Sequence, residues 1–312
     1  MKNLILFITL FLAANAHADT CWENFKERTE SLMESRELQY QLLDLEFSNL
    51  TNKAKGYAAK GKKNELVFLI HGFLGNPNEL KSVADMMNRA GYSVYSGLIP
   101  GYGATAKVAN FYNKDHWLRW SVREIKRAEK CFSKIHLVGF STGGTIIHDY
   151  ITTHPEDKKI ASVTFISAFF KNHPEFDTAL EAAKVSGVRE IELKWVLEHV
   201  PVADARVIVD TPDTYLQTAP IISMFEVIDL GKINRDRMLP KPIKVPANAI
   251  ISMEDWVSDR DSQLKVLKKN FSDLELRTYY RPGHVPHQLM SESVSQVADQ
   301  VHMAIIDFIK RN

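Results

Sequence analysis

"KIHLVGFSTGGTIIHDY", residues 134–150, changes character halfway along. Ile135, Leu137 and Val138 have the make-up of a buried strand, and Thr145 to Tyr150 that of a helix. Between them Gly139-Phe140-Ser141-Thr142-Gly143-Gly144 is short, small and partly polar. A serine hydroxyl is scarcely ionised near neutral pH. It becomes a nucleophile only with a base in hydrogen-bond reach and donors for the charge that develops on the substrate. A tight strand-to-helix turn projects the side chain and aims the following amide at the reacting carbon, while the helix adds its positive end. The crowded backbone of such a turn accounts for glycine at 139 and 143. Gly-x-Ser-x-Gly with a strand before and a helix after is the nucleophile-elbow pattern, with Ser141 at its centre. Neither GxGxxG nor GxxxxGK[ST] is present, so the turn does not read as a phosphate cradle.

A reactive serine needs three further parts. "FLIHGFLGNP" (68–77) ends a strand in His71-Gly72-Phe73, and the amides of Phe73 and Thr142 form the natural oxyanion pair. His71 precedes Ser141 in the chain and reads as a structural histidine that holds this loop. Downstream, "AIISMEDWVSD" (249–259) ends a strand and offers Glu254, Asp255 and Asp259 as the acid. Beyond it stand His284, His287 and His302. His302 lies in the amphipathic pattern of the last helix. His284 follows the strand "LELRTYY" in the loop "RPGHVPH" and is the expected base, with His287 in reserve.

Working outward, apolar runs alternate with amphipathic ones. "ELVFLIHG" (65–72), "YSVYSGLIPG", "IASVTFISAFF" (160–170), "ANAIIS" (247–252) and "LELRTYY" (274–280) read as strands. Residues 76–91, 111–130, 259–269 and 293–310 read as helices. Strand alternating with helix predicts a mostly parallel sheet covered on both faces. From 171 to 246 the rhythm breaks into helical stretches too long for a loop, which predicts a helical insertion over the sheet. That insertion is rich in large apolar residues. Phe169, Phe170 and Phe176 stand where it begins, followed by Trp195, Leu197, Tyr215, Ile221, Ile222, Met224 and Phe225. As a set they are expected to roof Ser141 at the carboxyl edge of the sheet and to favour an acyl chain of short to medium length.

The bulk properties agree with an ordinary globular chain of 312 residues, 45% of them hydrophobic. Lys+Arg 39 against Asp+Glu 38 leaves a formal charge of +1, which does not point to nucleic acid. The lysine-rich "KAKGYAAKGKK" (53–63) reads as a solvated connector after an N-terminal helix spanning roughly 22–47. Residues 1–18 have a positive Lys2, a short apolar run and small residues at Ala14, Ala16 and Ala18, the pattern of a secretory signal peptide cut after Ala18 or Ala16. No segment is expected to span a membrane, and the product is expected to be periplasmic or secreted. In an oxidising compartment the two cysteines, Cys21 and Cys131, are expected to pair. No HExxH or Cys/His ligand spacing occurs, so neither metal nor cofactor is expected.

"LIHGFLGNP", "LIPGYGAT", "HWLRWSVREIKRA", "LVGFSTGG", "APIISMFEVI", "IISMEDWVSD" and "GHVPH" occur in an order that resembles the α/β-hydrolase superfamily over about 65–312. The likeness is greatest to its bacterial carboxylesterase and monoacylglycerol-lipase-like branch. The resemblance implies a hydrolase core of 65–170 and 247–312 with a helical cap at 171–246, and places 19–64 outside it as helix and connector. It favours Asp255, followed two residues later by Val257, as the acid, and fits Gly283-His284-Val285 to the histidine loop. It implies a Ser141, His284 and Asp255 triad hydrolysing carboxylic esters, small-molecule or lipid, through an acyl-enzyme. Thioesterase, amidase or acyltransferase chemistry uses the same triad, and a non-catalytic binding protein on this scaffold is the rival from another class. The chain departs from the pattern in lacking an evident antiparallel hairpin before its first parallel strand.

Overall fold

The computed structural model describes residues 2–174, 177–195, 208–280 and 285–312, with the side chains of 2–19 and 177–181 left aside. Helix α1 (Lys2–Leu43) leads into β1 (Tyr57–Ala59) and β2 (Glu65–Ile70). A 3-10 turn, Pro77–Leu80, opens α2 (Lys81–Arg89), and β3 (Ser93–Gly97), α3 (Ala106–Ala109) and α4 (Lys114–Ala128) follow. Strand β4 (Lys134–Phe140) passes through Ser141 into α5 (Thr142–Thr153), and β5 (Ile160–Ile166) comes next. After it come α6 (Asp177–Ser186), β6 (Glu190–Glu192), β7 (Thr218–Pro220) and α7 (Ile221–Asp236). The chain closes with β8 (Ala247–Ser252), α8 (Arg260–Asn270), β9 (Leu274–Tyr279) and α9 (Ala298–Arg311).

Seven strands form one sheet in the order β1-β3-β2-β4-β5-β8-β9, parallel throughout except for β1. Successive residues alternate between the two faces. Leu66, Phe68 and Ile70 of β2, with Ile135 and Leu137 of β4, face the layer that contains α4, α5 and the buried side of α1. Val67, Leu69, Val138 and Phe140 face the opposite layer, with α2 and α9. Strand β3 lies to one side of β2 and β4 to the other, so the winding direction reverses between them. In such sheets the crevice at the carboxyl ends of the strands flanking the reversal receives the ligand. The turn at Ser141 and the loop at His71 both stand there.

Three expectations are corrected. The connector contains β1, antiparallel to β3 with Tyr57 opposite Ser96, so part of 53–63 is sheet edge rather than solvated linker. Lysines flanking an edge strand discourage further pairing, and their abundance there has that reading too. The segment 171–246 is not wholly helical, because β6 and β7 pair antiparallel within it. Helix α1 begins at Lys2 and ends at Leu43, short of residue 47. Its buried stripe runs Trp22, Phe25, Thr29, Met33, Arg36 and Tyr40, the spacing of one helical face. Cys21 at the head of that stripe is bonded to Cys131 beyond α4, with Cα atoms 5.4 Å apart.

Candidate active site

Ser141 sits at the tip of the β4–α5 turn with φ 52°, a left-handed conformation that a non-glycine residue adopts only under constraint. The constraint is backbone bonding: its N–H donates to Ile166 O at 2.9 Å, and its carbonyl accepts from Phe169 N at 3.1 Å. Gly143 is fixed by contact, since a Cβ there would lie 2.1 Å from Ile70 O. That close approach presses the start of α5 against the end of β2 and brings the two loops together.

A histidine does reach Ser141, but it is His287. Its Nε2 lies 2.9 Å from Ser141 Oγ and its Nδ1 2.8 Å from Asp255 Oδ2. The expected base, His284, lies outside the described residues, and the position between Ser141 and Asp255 belongs to His287, the reserve candidate three residues on. Asp255 Oδ1 accepts from the N–H groups of Val257 at 2.9 Å and Ser258 at 2.8 Å. Those bonds leave Oδ2 aimed at the imidazole, which is thereby held with its proton on Nδ1 and its Nε2 lone pair toward Ser141 Oγ. The ring rests against Phe140, centroids 5.0 Å apart. The other two acids serve elsewhere. Glu254 accepts from Val285 N at 3.1 Å and so ties down the histidine loop, while Asp259 caps α8 by accepting from Ser262 N.

On the opposite side stands the loop after β2. A Cβ on Gly72 would lie 3.2 Å from Ser141 Cβ, so this backbone lies directly against Ser141. Phe73 follows it in that loop, and Thr142 is the first residue of α5. His71 is buried, with Nδ1 2.8 Å from Gly72 O and Nε2 accepting from Ile99 N at 3.0 Å. Burial pushes its pKa down to about 3, so it is a neutral brace.

The apolar residues of 169–225 divide. Phe169 and Phe170 belong to the main core, and Trp195 and Ile222 are exposed. Tyr215 and Ile221 pack with Leu74, Leu193 and Ala219, with Phe73, Met224 and Phe225 at the margin of that cluster. Phe176 and Leu197 lie outside the described residues. Among the described residues Glu292, Asp299 and His302 offer possible metal-ligand atoms within 4.8 Å of one another, at the start of α9 rather than at Ser141. No helix among the described residues is long and apolar enough to cross a membrane.

Known proteins share this fold. The sequence profile of the alpha/beta hydrolase fold matches residues 65–186. A "Lipase 1" from Psychrobacter immobilis is 32% identical over 121 residues, a match that covers 37% of each chain. A structure described with LipS and LipT, two metagenome-derived lipolytic enzymes, superposes with a TM-score of 0.68 at 20% identity, covering 85% of this chain and 100% of the other. The monoacylglycerol lipase of Paleococcus ferrophilus does so with a TM-score of 0.61 at 17% identity, covering 82% and 99%. The chain has the α/β-hydrolase fold. It is similar to esterases and lipases within that fold.

Proposed function

We propose that the protein is a serine hydrolase of carboxylic esters, with Ser141 as nucleophile, His287 as general base and acid, and Asp255 as the residue that orients and stabilises the imidazolium. The observation that carries this reading is His287 standing within hydrogen-bond distance of both Ser141 and Asp255. Ser141 Oγ attacks the acyl carbon as its proton passes to His287 Nε2, and the oxyanion is held by the Phe73 and Thr142 amides. His287 then protonates the leaving alcohol, and water activated by the same nitrogen releases the acid. Each oxyanion donor in such a site contributes roughly 3 kcal/mol.

An activity-based fluorophosphonate tests the proposal. The wild type should be labelled at one site, and Ser141→Ala should abolish labelling. A wild type left unlabelled at high probe concentration favours the rival, a binding protein on this scaffold. The apolar cluster of Tyr215, Ile221, Met224 and Phe225 beside Phe73 supports an acyl site of modest depth. A series of p-nitrophenyl esters should therefore peak at short to medium acyl chains, each methylene adding at most about 0.8 kcal/mol until the site is full. Activity confined to acetyl esters, thioesters or amides would overturn that assignment of substrate. Export belongs to the same proposal, supported by the pattern of residues 1–18 and by the Cys21–Cys131 bond.

A further inference from the structure

Beside the oxyanion loop sits a carboxyl group for which the triad has no use. Glu79 stands in the 3-10 turn after β2, and its carboxyl end points inward. Oε2 accepts from Gly72 N at 2.6 Å, and Oε1 is shut off from solvent. We propose that Glu79 is a positioning residue that holds the oxyanion loop against the nucleophile and couples it to the seating of the 208–217 segment through Tyr215. The inference rests on the reading of Ser141, His287 and Asp255 given above.

Gly72 is the pivot. Its N–H is held by Glu79 and its carbonyl accepts from His71, so both peptides that meet at this residue are clamped by side chains. In a trans peptide the carbonyl and the following N–H point in opposite directions, so fixing Gly72 O also fixes the Phe73 N–H. The glycine has no side chain of its own to hold it, and without these bonds its backbone would have the widest freedom of any residue.

The same loop is stitched to the segment that covers it. Asn76 Nδ2 donates to Asp213 O at 2.8 Å, Asn78 Nδ2 to Thr214 Oγ1 at 2.7 Å, and Leu216 N to Leu74 O at 2.9 Å. Leu74 keeps a left-handed φ of 65° among these bonds. Tyr215 lies in the middle of the seam, and its hydroxyl acts on the Glu79 carboxyl group, whose Oε1 is buried. The groups that act on Glu79 are therefore the Gly72 N–H, Tyr215 and, at longer range, His287. Burial pushes the Glu79 pKa up to about 7, and a positive His287 favours its ionised form. By reciprocity an ionised Glu79 favours the imidazolium that forms as Ser141 attacks.

The test compares Glu79→Gln and Glu79→Ala with the wild type in hydrolysis of p-nitrophenyl butyrate across pH, after fluorophosphonate labelling of the wild type has been established. Glu79→Gln keeps an acceptor for Gly72 N–H and removes the charge. It should lower kcat by only a few-fold and move the acid limb of kcat/KM to lower pH, because the imidazolium loses a favourable neighbour. Glu79→Ala leaves the Gly72 N–H without its acceptor and should lower kcat by about 10- to 100-fold with KM changed much less. A residue that merely supports the fold would lower the amount of active enzyme without moving the limb. If Glu79→Gln keeps both the wild-type kcat and the wild-type limb, the positioning role is wrong even where Glu79→Ala fails to fold. If the wild type itself is not labelled, it is the reading of the triad that fails instead.

Discussion

At the scale of single residues the site turns on one imidazole. His287→Ala should lower kcat by about a thousandfold or more, and Asp255→Asn by up to about ten-thousandfold by favouring the wrong tautomer. Glu254→Gln should cost far less, since that side chain holds the Val285 amide rather than the imidazole. Steady-state kinetics of these variants beside His284→Ala check the assignment, and a larger loss at 284 than at 287 would reverse it. The turn at Ser141 was legible because it imposes a local rule: glycine is required where Gly143 meets Ile70 O. Position soon after a strand narrowed the acid to Glu254, Asp255 and Asp259, and the family resemblance, with Val257 two residues on, favoured Asp255. The histidine was not legible, because its position depends on distance rather than on pattern. Strand β9 lies three neighbours away from β4, roughly 14 Å at ordinary strand spacing. Three more residues of loop give about 10 Å of extra reach, and His287 has them where His284 does not.

At the scale of elements, what periodicity carries was readable and what pairing carries was not. Strands β2, β4, β5 and β8 are apolar runs, and the stripe on α1 repeats at helical spacing. The short β1, β6 and β7, three residues each, exist because a distant edge accepts their backbone groups, and nothing local announces them. Helix α1 has a further task beyond burying its stripe. Its Arg36 donates to Leu98 O, and its Tyr40 hydroxyl accepts from Gly101 N at 2.6 Å. Those bonds brace the loop after β3, from which Tyr102 packs on Phe73 with ring centroids 5.9 Å apart. The Cys21–Cys131 bond closes a sequence separation of 110 residues, for which chain entropy gives a stabilisation of about 4–5 kcal/mol. Cys21→Ser with Cys131→Ser, or reduction of the wild type, should lower the urea midpoint by a corresponding amount. An unchanged midpoint would mean that packing alone holds the helix.

At the scale of the whole molecule, the balance of buried titratable groups sets the response to acid. His71, His136 and His148 are buried, and burial pushes their pKa values down to about 3, 4 and 4. His148 shows why: Nδ1 meets Asn234 Oδ1 at 2.7 Å and Nε2 meets the Asn270 amide nitrogen at 2.8 Å, so a second ring proton would face a donor. A histidine whose pKa is lower folded than unfolded contributes stability that is present above about pH 6.5 and is lost as pH falls toward the folded value. Glu79 acts in the opposite sense. Its raised pKa gives stability that is present below the ordinary carboxylate pKa and is lost as pH rises toward about 7. Between those limits the unfolded chain takes up protons on these histidines and on His302, whose pKa burial also lowers, against the raised Glu79 and Glu129 of the native state, so native stability falls as pH is lowered from about 6.5 to 4.5. Urea unfolding across that range should show the midpoint dropping steadily. In Glu79→Gln the drop should be steeper, because an opposing contribution is gone. A midpoint that stays level in the wild type would mean that these histidines accept protons in place, and that the neutral brace at His71 is not what holds the loop after β2.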